Sequence, residues 1–535
     1  QSFAREILDS RHGEVKYIPA LDEWIVVTST FYGTAKNLET FGTARFTGDK
    51  ILEKALNMKQ IRVTDTIREP GGGESRVFNQ KETLAAEMAV EKMQKEFLKW
   101  INQNDQFSEE LQDEYNKNFN FYVTPKFDGS HLELPGSSKV FNLRSYQKNV
   151  IWRMIQDRCG MIAHCVGSGK TIVMAACAME MKRLGLANKP LIVVQNATLG
   201  QFASQFRAMY PTANILVATP KDLEAKKRKI FMARIASGDY DAVIMAQSSF
   251  DLIPDDGERE KQYMNEQADE LKETLYNAKA TDGKASPTVK AIQRRLKALE
   301  KKLKTLRDKL AKRQDDVITF EQLGIDAMFI DEAHAYKKPP FSTKLSNVKG
   351  IDNSPSQKAS GLFLKTRHVQ EKSNGKGVVL ATGTPITNTL GEAWHMLRLA
   401  TPHLLEEFNI TTFDSFVSAF AQVLPTIEMN AGQRWVQRQI LAKFANGPEL
   451  SKLIQAGWDV INRDKLSKEL EKSGHKLPIL KGGKTQSVSV PLSESVQEFN
   501  KFLRGIYQQY ENLSGKVKMQ YSWIPVVTYN AARAA

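Results

Sequence analysis

The chain has 535 residues, 41% of them hydrophobic and 25% charged, with 75 lysines and arginines against 61 acids for a net charge of +14. That length exceeds what one hydrophobic core organises, so about two to four domains are expected. The positive surplus points to a polyanionic partner, nucleic acid before membrane. No apolar run reaches the roughly 18 residues of a membrane span, and Gln1-Ser2-Phe3-Ala4-Arg5-Glu6 carries no signal-peptide core, so a soluble intracellular protein with no membrane partner is expected.

Cys159, Cys165 and Cys177 show neither a C-x-x-C spacing nor a companion histidine pair. They read as small buried residues of a reducing compartment, not as zinc ligands or a disulfide framework.

Residues 1–138 form an accessory α+β region. Tyr17, Trp24, Ile25, Val26, Val27, Phe31 and Tyr32 give an early aromatic and β-branched stretch, and the pattern turns helical from about residue 81 to 101. Pro70-Gly71-Gly72-Gly73 lacks the strand-loop-helix spacing of a dinucleotide site and reads as a connector. Composition breaks around Leu132-Glu133-Leu134-Pro135-Gly136, which marks the boundary.

Next comes Phe141-Asn142-Leu143-Arg144-Ser145-Tyr146-Gln147. An amide both donates and accepts, so Gln147 suits the N6 and N7 edge of adenine. Cys159 to Ala163 reads as a buried strand, Ile172 to Lys182 as a helix, and between them lies His164-Cys165-Val166-Gly167-Ser168-Gly169-Lys170-Thr171. Gly167, Ser168 and Gly169 let successive N–H groups curl around phosphate, Lys170 reaches the β and γ phosphates, and Thr171 holds Mg²⁺. The helix N-terminus adds its positive dipole end. The full phosphate-loop pattern wants glycine where this chain has His164.

Short apolar runs follow at Leu191–Val194, Ile215–Val217, Ala242–Met245, Met328–Ile330 and Val378–Leu380, separated by helical stretches. Such runs predict an α/β fold whose parallel sheet is buried on both faces, with ligands at the carboxyl ends of the strands. Asp331-Glu332-Ala333-His334 directly follows one run. An aspartate there ligates Mg²⁺, and the adjacent glutamate polarises the water that attacks a γ-phosphate. Asp331, Glu332 and Lys170 are therefore the candidate catalytic residues of an ATP hydrolase.

Between residues 250 and 328 the sheet is interrupted. Two charged helices, from Asp255 to about Ala280 and from Pro287 to about Asp316, predict an antiparallel coiled-coil hairpin. In the second, Val289, Ile292, Leu296, Leu299, Leu303, Leu306 and Leu310 recur at alternating three and four. Its dense lysines and arginines suit either a DNA backbone or a solvated coiled-coil flank.

In order and spacing, Gln147, Gly169-Lys170-Thr171, Asp331-Glu332-Ala333-His334 and Thr382-Gly383-Thr384-Pro385 resemble the motifs of superfamily-two helicases and translocases. Within that group the chain resembles the Swi/Snf-type branch and its restriction-enzyme relatives, whose phosphate loops also lack the first glycine. Gly42-Thr43-Ala44-Arg45, Asp331 to Lys337, Ser356-Gln357-Lys358-Ala359 and Ala381 to Asn388 are similar to the motor half of large phage- and plasmid-borne proteins. Those proteins fuse such a helicase to an adenine-specific DNA methyltransferase, and some act in antirestriction.

The resemblance implies a RecA-like doubly wound first motor lobe over residues 139–405, with the coiled-coil insertion at about 255–316. It implies a helical connector over 406–535, leading toward a second RecA-like lobe for which too few residues remain after Leu477-Pro478. ATP and Mg²⁺ are the implied cofactors, double-stranded DNA the implied partner, and a bacterial or phage-infected cytoplasm the implied setting. His334, Thr382 and Thr384 would couple the nucleotide site to the strand-binding surface; Thr198, Gln201, Thr219, Lys221, Ser248 and Ser249 would touch DNA phosphates. Lys338-Pro339-Pro340-Phe341 is not a methyltransferase site, because lysine cannot accept hydrogen bonds from an exocyclic amine. Any methyltransferase would lie elsewhere in a larger protein. Two further readings stay open: a DNA-tethering scaffold with a non-cycling motor fold, and an RNA helicase.

Overall fold

The computed structural model describes residues 1–18, 23–31, 33–57, 61, 63–68, 74–120, 122–219, 222, 224–256, scattered positions between 261 and 305, 318–339, 341, 343, 348–349, 356–387, 389–429, 435–472, 491, 493–513, 521, 524 and 527–528. Among them, no helix is long and apolar enough to cross a membrane.

The accessory region opens with α1 (Ser2–Ile7), the antiparallel pair β1 (Val15–Ile18) and β2 (Glu23–Val26), and α2 (Gly48–Leu56). The antiparallel pair β3 (Thr64–Arg68) and β4 (Glu74–Phe78) leads into α3 (Gln80–Gln103) and α4 (Asp105–Phe119). Asn79 caps α3 by accepting from the Glu82 N–H, which satisfies one of the orphan donors of the first turn. Ala4, Leu8, Val26, Phe31, Phe41, Ile51, Leu52 and Met93 make a small core of their own. Asn37 is buried beside it with its amide satisfied, donating to the Phe31 carbonyl and accepting from the Asp49 N–H.

The lobe begins at α5 (Ser145–Asp157) and continues through β5 (Gly160–His164), α6 (Lys170–Arg183), β6 (Pro190–Val194), α7 (Leu199–Met209), β7 (Ile215–Ala218), α8 (Ala225–Ser237), β8 (Ala242–Ala246), the short α9 (Gln247–Asp251) and β9 (Ala327–Ile330). After β10 (Val348–Lys349) come the helix Gln357–Lys372 and β11 (Val378–Ala381). β5, β6, β8, β9 and β11 are buried at every position, as continuous apolar runs require when helices cover both faces. Val150, Met154, Ile162, Met174, Phe206, Ile244 and Phe329 belong to one continuous core. This is a RecA-like doubly wound sheet, with every expected strand in place.

Two features differ from expectation beyond residue 405. First, the hairpin of β12 (Ala421–Met429) and β13 (Trp435–Phe444) stands among the helices expected there. Second, β14 (Trp458–Ile461) lies in the lobe's own sheet, parallel to β5, so the lobe reaches past 405 to about residue 461. The full sheet has seven strands in the order β14-β5-β11-β9-β6-β8-β7, all parallel.

The inserted hairpin expected at 255–316 lies largely outside the described residues. Its two ends meet: the Phe320 N–H donates to the Pro254 carbonyl, and Lys365, buried in the helix Gln357–Lys372, pairs with Asp255 at 2.6 Å. Residues 347–350, 421–445 and 463–535 form a separate unit, with β10, β13 and β12 as a three-stranded sheet and the helices Arg463–Lys472 and Glu494–Glu511. Leu477 and Pro478 lie outside the described residues.

Candidate nucleotide site

The strand order decides what can meet. β5, β11 and β9 are neighbours, with Ala381 opposite Ile162 and Leu380 opposite both Met161 and Ile330. Their carboxyl ends therefore deliver the phosphate loop, Thr382 and Asp331 to one edge of the sheet.

Gly167 and Gly169 both have φ of +84°, in the left-handed region that favours glycine. At Gly169 space is a second constraint, because an added Cβ would lie 2.4 Å from Gln147 Nε2. That amide donates to the Ser168 carbonyl at 3.0 Å, Tyr146 Oη donates to the same oxygen at 2.8 Å, and Gln147 Oε1 accepts from the Arg144 N–H at 2.9 Å. Gln147 thus commits one donor to the loop and one lone pair to the N-terminus of its own helix α5, and retains one of each. Lys170 Nζ reaches back over the loop to donate to the His164 carbonyl at 3.0 Å. Beside the loop opens a cavity of about 340 Å³ lined by Phe141, Leu143, Arg144, Tyr146, Gln147 and Ile172, within the size range of small-molecule sites.

Asp331 follows β9, with its N–H on the Val193 carbonyl and its own carbonyl accepting from Gln247 Nε2 at 3.0 Å. Burial, reinforced by the neighbouring Glu332 charge, raises its carboxyl to about 6, against the pull of Lys170 and the Glu332 N–H. Lys170 and Asp331 therefore sense each other although they stand 161 positions apart in sequence. Glu332 sits at φ +48°, a left-handed conformation uncommon for a side-chain-bearing residue and often found at functional sites.

Its side chain joins the expected coupling residues. Glu332 Oε2 lies 3.1 Å from His334 Nδ1 and accepts from Thr382 Oγ1 at 3.4 Å. His334 Nδ1 is 3.0 Å from Thr382 Oγ1 and 3.5 Å from Thr384 Oγ1, and the Thr384 N–H donates to Thr382 Oγ1 at 3.1 Å. For Mg²⁺, Thr171 offers a hydroxyl and Asp331 a carboxylate, and among the described residues no cluster of three or more acidic, histidine or cysteine side chains forms a cage. A hard cation held mostly by water and phosphate needs no cage, so this donor set fits it.

The expected DNA-contacting residues follow β6, β7 and β8, which form the other half of the same edge. Gln201, Thr219 and Ser248 are exposed and Thr198 is partly so. Thr198 and Thr219 already use their hydroxyls on the Gln195 carbonyl and Asp222. Ser249 is corrected: it is only 2% exposed, turned inward by the helical geometry of α9, and cannot meet a phosphate. Lys221 lies outside the described residues.

Three contributors went unread in the sequence. Asp459 on β14 holds the ring of His164, Tyr146 secures the loop, and Gln247 secures Asp331. Tyr146 sat one residue before a motif position and carried a usable signal. The other two become visible only when the sheet assembles.

Residues 152–460 match a family described as a probable helicase domain, and residues 1–121 match a domain of unknown function, DUF8437. "Defense against restriction protein B" of Escherichia phage P1 is 25% identical over 426 residues, covering 71% of this chain and 18% of that protein. This chain thus spans about a fifth of that relative's length. Among solved structures, the Sulfolobus solfataricus SWI2/SNF2 ATPase core in complex with dsDNA has a TM-score of 0.34 at 14% identity, covering 75% of this chain and 59% of that one. The Sulfolobus solfataricus core domain has a TM-score of 0.33 at 13% identity, with 77% and 61% covered. The match over 152–460 covers more than half of the chain and takes in the loop after β5 together with Asp331 and Glu332, and the chain belongs to the probable helicase domain family.

Proposed function

We propose that this chain is the first motor lobe of an ATP-driven translocase that moves along double-stranded DNA, within a larger DNA-modification or antirestriction protein. One observation carries the reading: three adjacent strands bring the glycine-lysine loop, the Asp331-Glu332 pair and Thr382 to a single edge. The name of the phage relative favours the antirestriction setting.

In this reading the N–H groups of Gly167 to Thr171 hold the phosphates and Lys170 leaves the His164 carbonyl to meet the β and γ oxygens. The remaining donor and acceptor of Gln147 read the adenine edge from the adjoining cavity. Mg²⁺, held through Thr171 and Asp331, supplies neutralisation of phosphate charge. Glu332 orients the attacking water and takes its proton. The position of Glu332 depends on His334 and Thr382, so a shift of the loop after β11 reaches the carboxylate directly. Thr198, Gln201, Thr219 and Ser248 face the DNA backbone from the other half of the edge, where hydroxyls and amides position without reading bases. A second RecA-like lobe of the same larger protein supplies arginines across the ATP site, and any methyltransferase resides elsewhere in it.

The test is Lys170→Ala in the full-length protein. Duplex-stimulated ATP hydrolysis and movement along duplex DNA should both be lost. Full retention would make the motor fold a scaffold, and stimulation by RNA above that by duplex DNA would make it an RNA helicase.

A further inference from the structure

We propose that Asp459, on the edge strand β14, is a positioning residue of the phosphate loop and acts through the buried ring of His164. The inference rests on the reading of that loop as the ATP site.

His164 stands where the phosphate-loop pattern has glycine, so the fold must place an imidazole where the pattern has no side chain. It places the ring out of solvent entirely, at 0% exposure, with Nε2 at 2.7 Å from Asp459 Oδ1. A carboxylate only accepts, so Nε2 carries the proton and donates, and Asp459 sets both tautomer and ring direction. The ring edge of Tyr146 packs nearby, its centroid 6.2 Å from that of His164, while its hydroxyl holds the Ser168 carbonyl.

The main chain repeats the attachment. Asp459 is in register with Ile162, and the Cys165 N–H donates to the Ile461 carbonyl at 2.9 Å. β14 thereby grips the first two residues of the loop by backbone and side chain together. Asp459 is itself steadied by Arg153, 3.9 Å away, whose guanidinium donates to the carbonyls of Gln455, Ala456 and Trp458.

The consequence reaches Lys170 through one peptide. The carbonyl that receives Lys170 Nζ belongs to His164, and the direction of that carbonyl is tied to the residue whose ring Asp459 holds. Without Asp459 the ring keeps a buried donor with no acceptor, and the peptide turns to relieve it. Lys170 is then presented from a displaced platform. A carboxylate 295 residues from His164 in sequence thus governs the affinity of the loop for phosphate.

The experiment measures the dissociation constant of a fluorescent ADP analogue for the whole chain and for Asp459→Ala, Asp459→Asn and Lys170→Ala, with thermal melting recorded for each. Losing a charge-assisted hydrogen bond that orients the loop should weaken binding about tenfold in Asp459→Ala. Asp459→Asn, which still accepts from Nε2, should restore affinity to within about twofold of the original, an outcome a bond serving stability alone would not produce. If Asp459→Ala does not fold, His164→Ala removes the same bond from the other side and replaces it. Unchanged affinity in the folded variant, or an asparagine that fails to restore it, overturns the proposal. Should Lys170→Ala leave binding unchanged, it is the ATP-site reading that fails; Lys170→Ala weak and Asp459→Ala normal sinks the positioning role alone.

Discussion

Replacing Gly169 by alanine separates two demands that this position combines, and Gly167 supplies the control. Both glycines have φ of +84°, but a Cβ at Gly167 would meet nothing within 4 Å, whereas at Gly169 it would lie 2.4 Å from Gln147 Nε2. A left-handed backbone bearing a Cβ costs about 1–2 kcal/mol, which is the whole expected loss for Gly167→Ala. Gly169→Ala also drives Gln147 off the Ser168 carbonyl and forfeits roughly 1 kcal/mol more, for a total of about 2–3 kcal/mol. Urea unfolding followed by tryptophan fluorescence measures both. Repeating the pair in a Gln147→Ala background should make the two glycine variants equal, because the clash partner is gone. Equal losses with Gln147 present, or a difference that survives its removal, would refute the reasoning.

Asp331, raised to about 6 from the ordinary 3.8, binds its proton more tightly folded than unfolded. Its contribution to stability is full below the unfolded value and lost as pH rises through 6, so Asp331→Asn should stabilise the chain at pH 8 by up to about 3 kcal/mol and hardly at all at pH 4. Stability curves of the two proteins that stay parallel across this range would contradict the burial argument. Glu332→Gln in the full-length protein should bind ATP normally and hydrolyse it at least about 100-fold more slowly, since only the proton acceptor is removed; normal turnover would exclude Glu332 as the base. Duplex binding by the full-length protein should weaken steeply with salt, each neutralised phosphate contributing about −0.9 to the log–log slope. A flat response would contradict backbone tracking.

The legible parts of the site were those whose chemistry is local. Gly169-Lys170-Thr171 closes the loop that leaves β5, Asp331-Glu332 directly follows β9, and the continuous runs from β5 to β11 announce a sheet covered on both faces. His334, Thr382 and Thr384 were singled out only through the family resemblance, and their side chains lie within hydrogen-bonding distance of one another. What escaped was non-local. β14 is four residues long and contains an aspartate, so Trp458-Asp459-Val460-Ile461 shows no apolar run to mark a strand, and only pairing with β5 makes it one. Ser249 looked like its neighbour Ser248 in sequence, yet adjacent positions on a helix face different directions. Gln147 looked like a base-reading amide, yet one of its donors serves the loop and one of its lone pairs caps its own helix.

The central claim is that Lys170 and Asp331 act on the same bound triphosphate, and a double-mutant cycle tests it most directly. Mg²⁺-ATP dissociation constants would be measured for the original chain, Lys170→Met, Asp331→Asn and the double variant. Convergence on one ligand predicts a coupling energy of about 1 kcal/mol or more between the two changes. Effects that add to within about 0.3 kcal/mol would show that the two residues serve separate ligands, and would contradict the account.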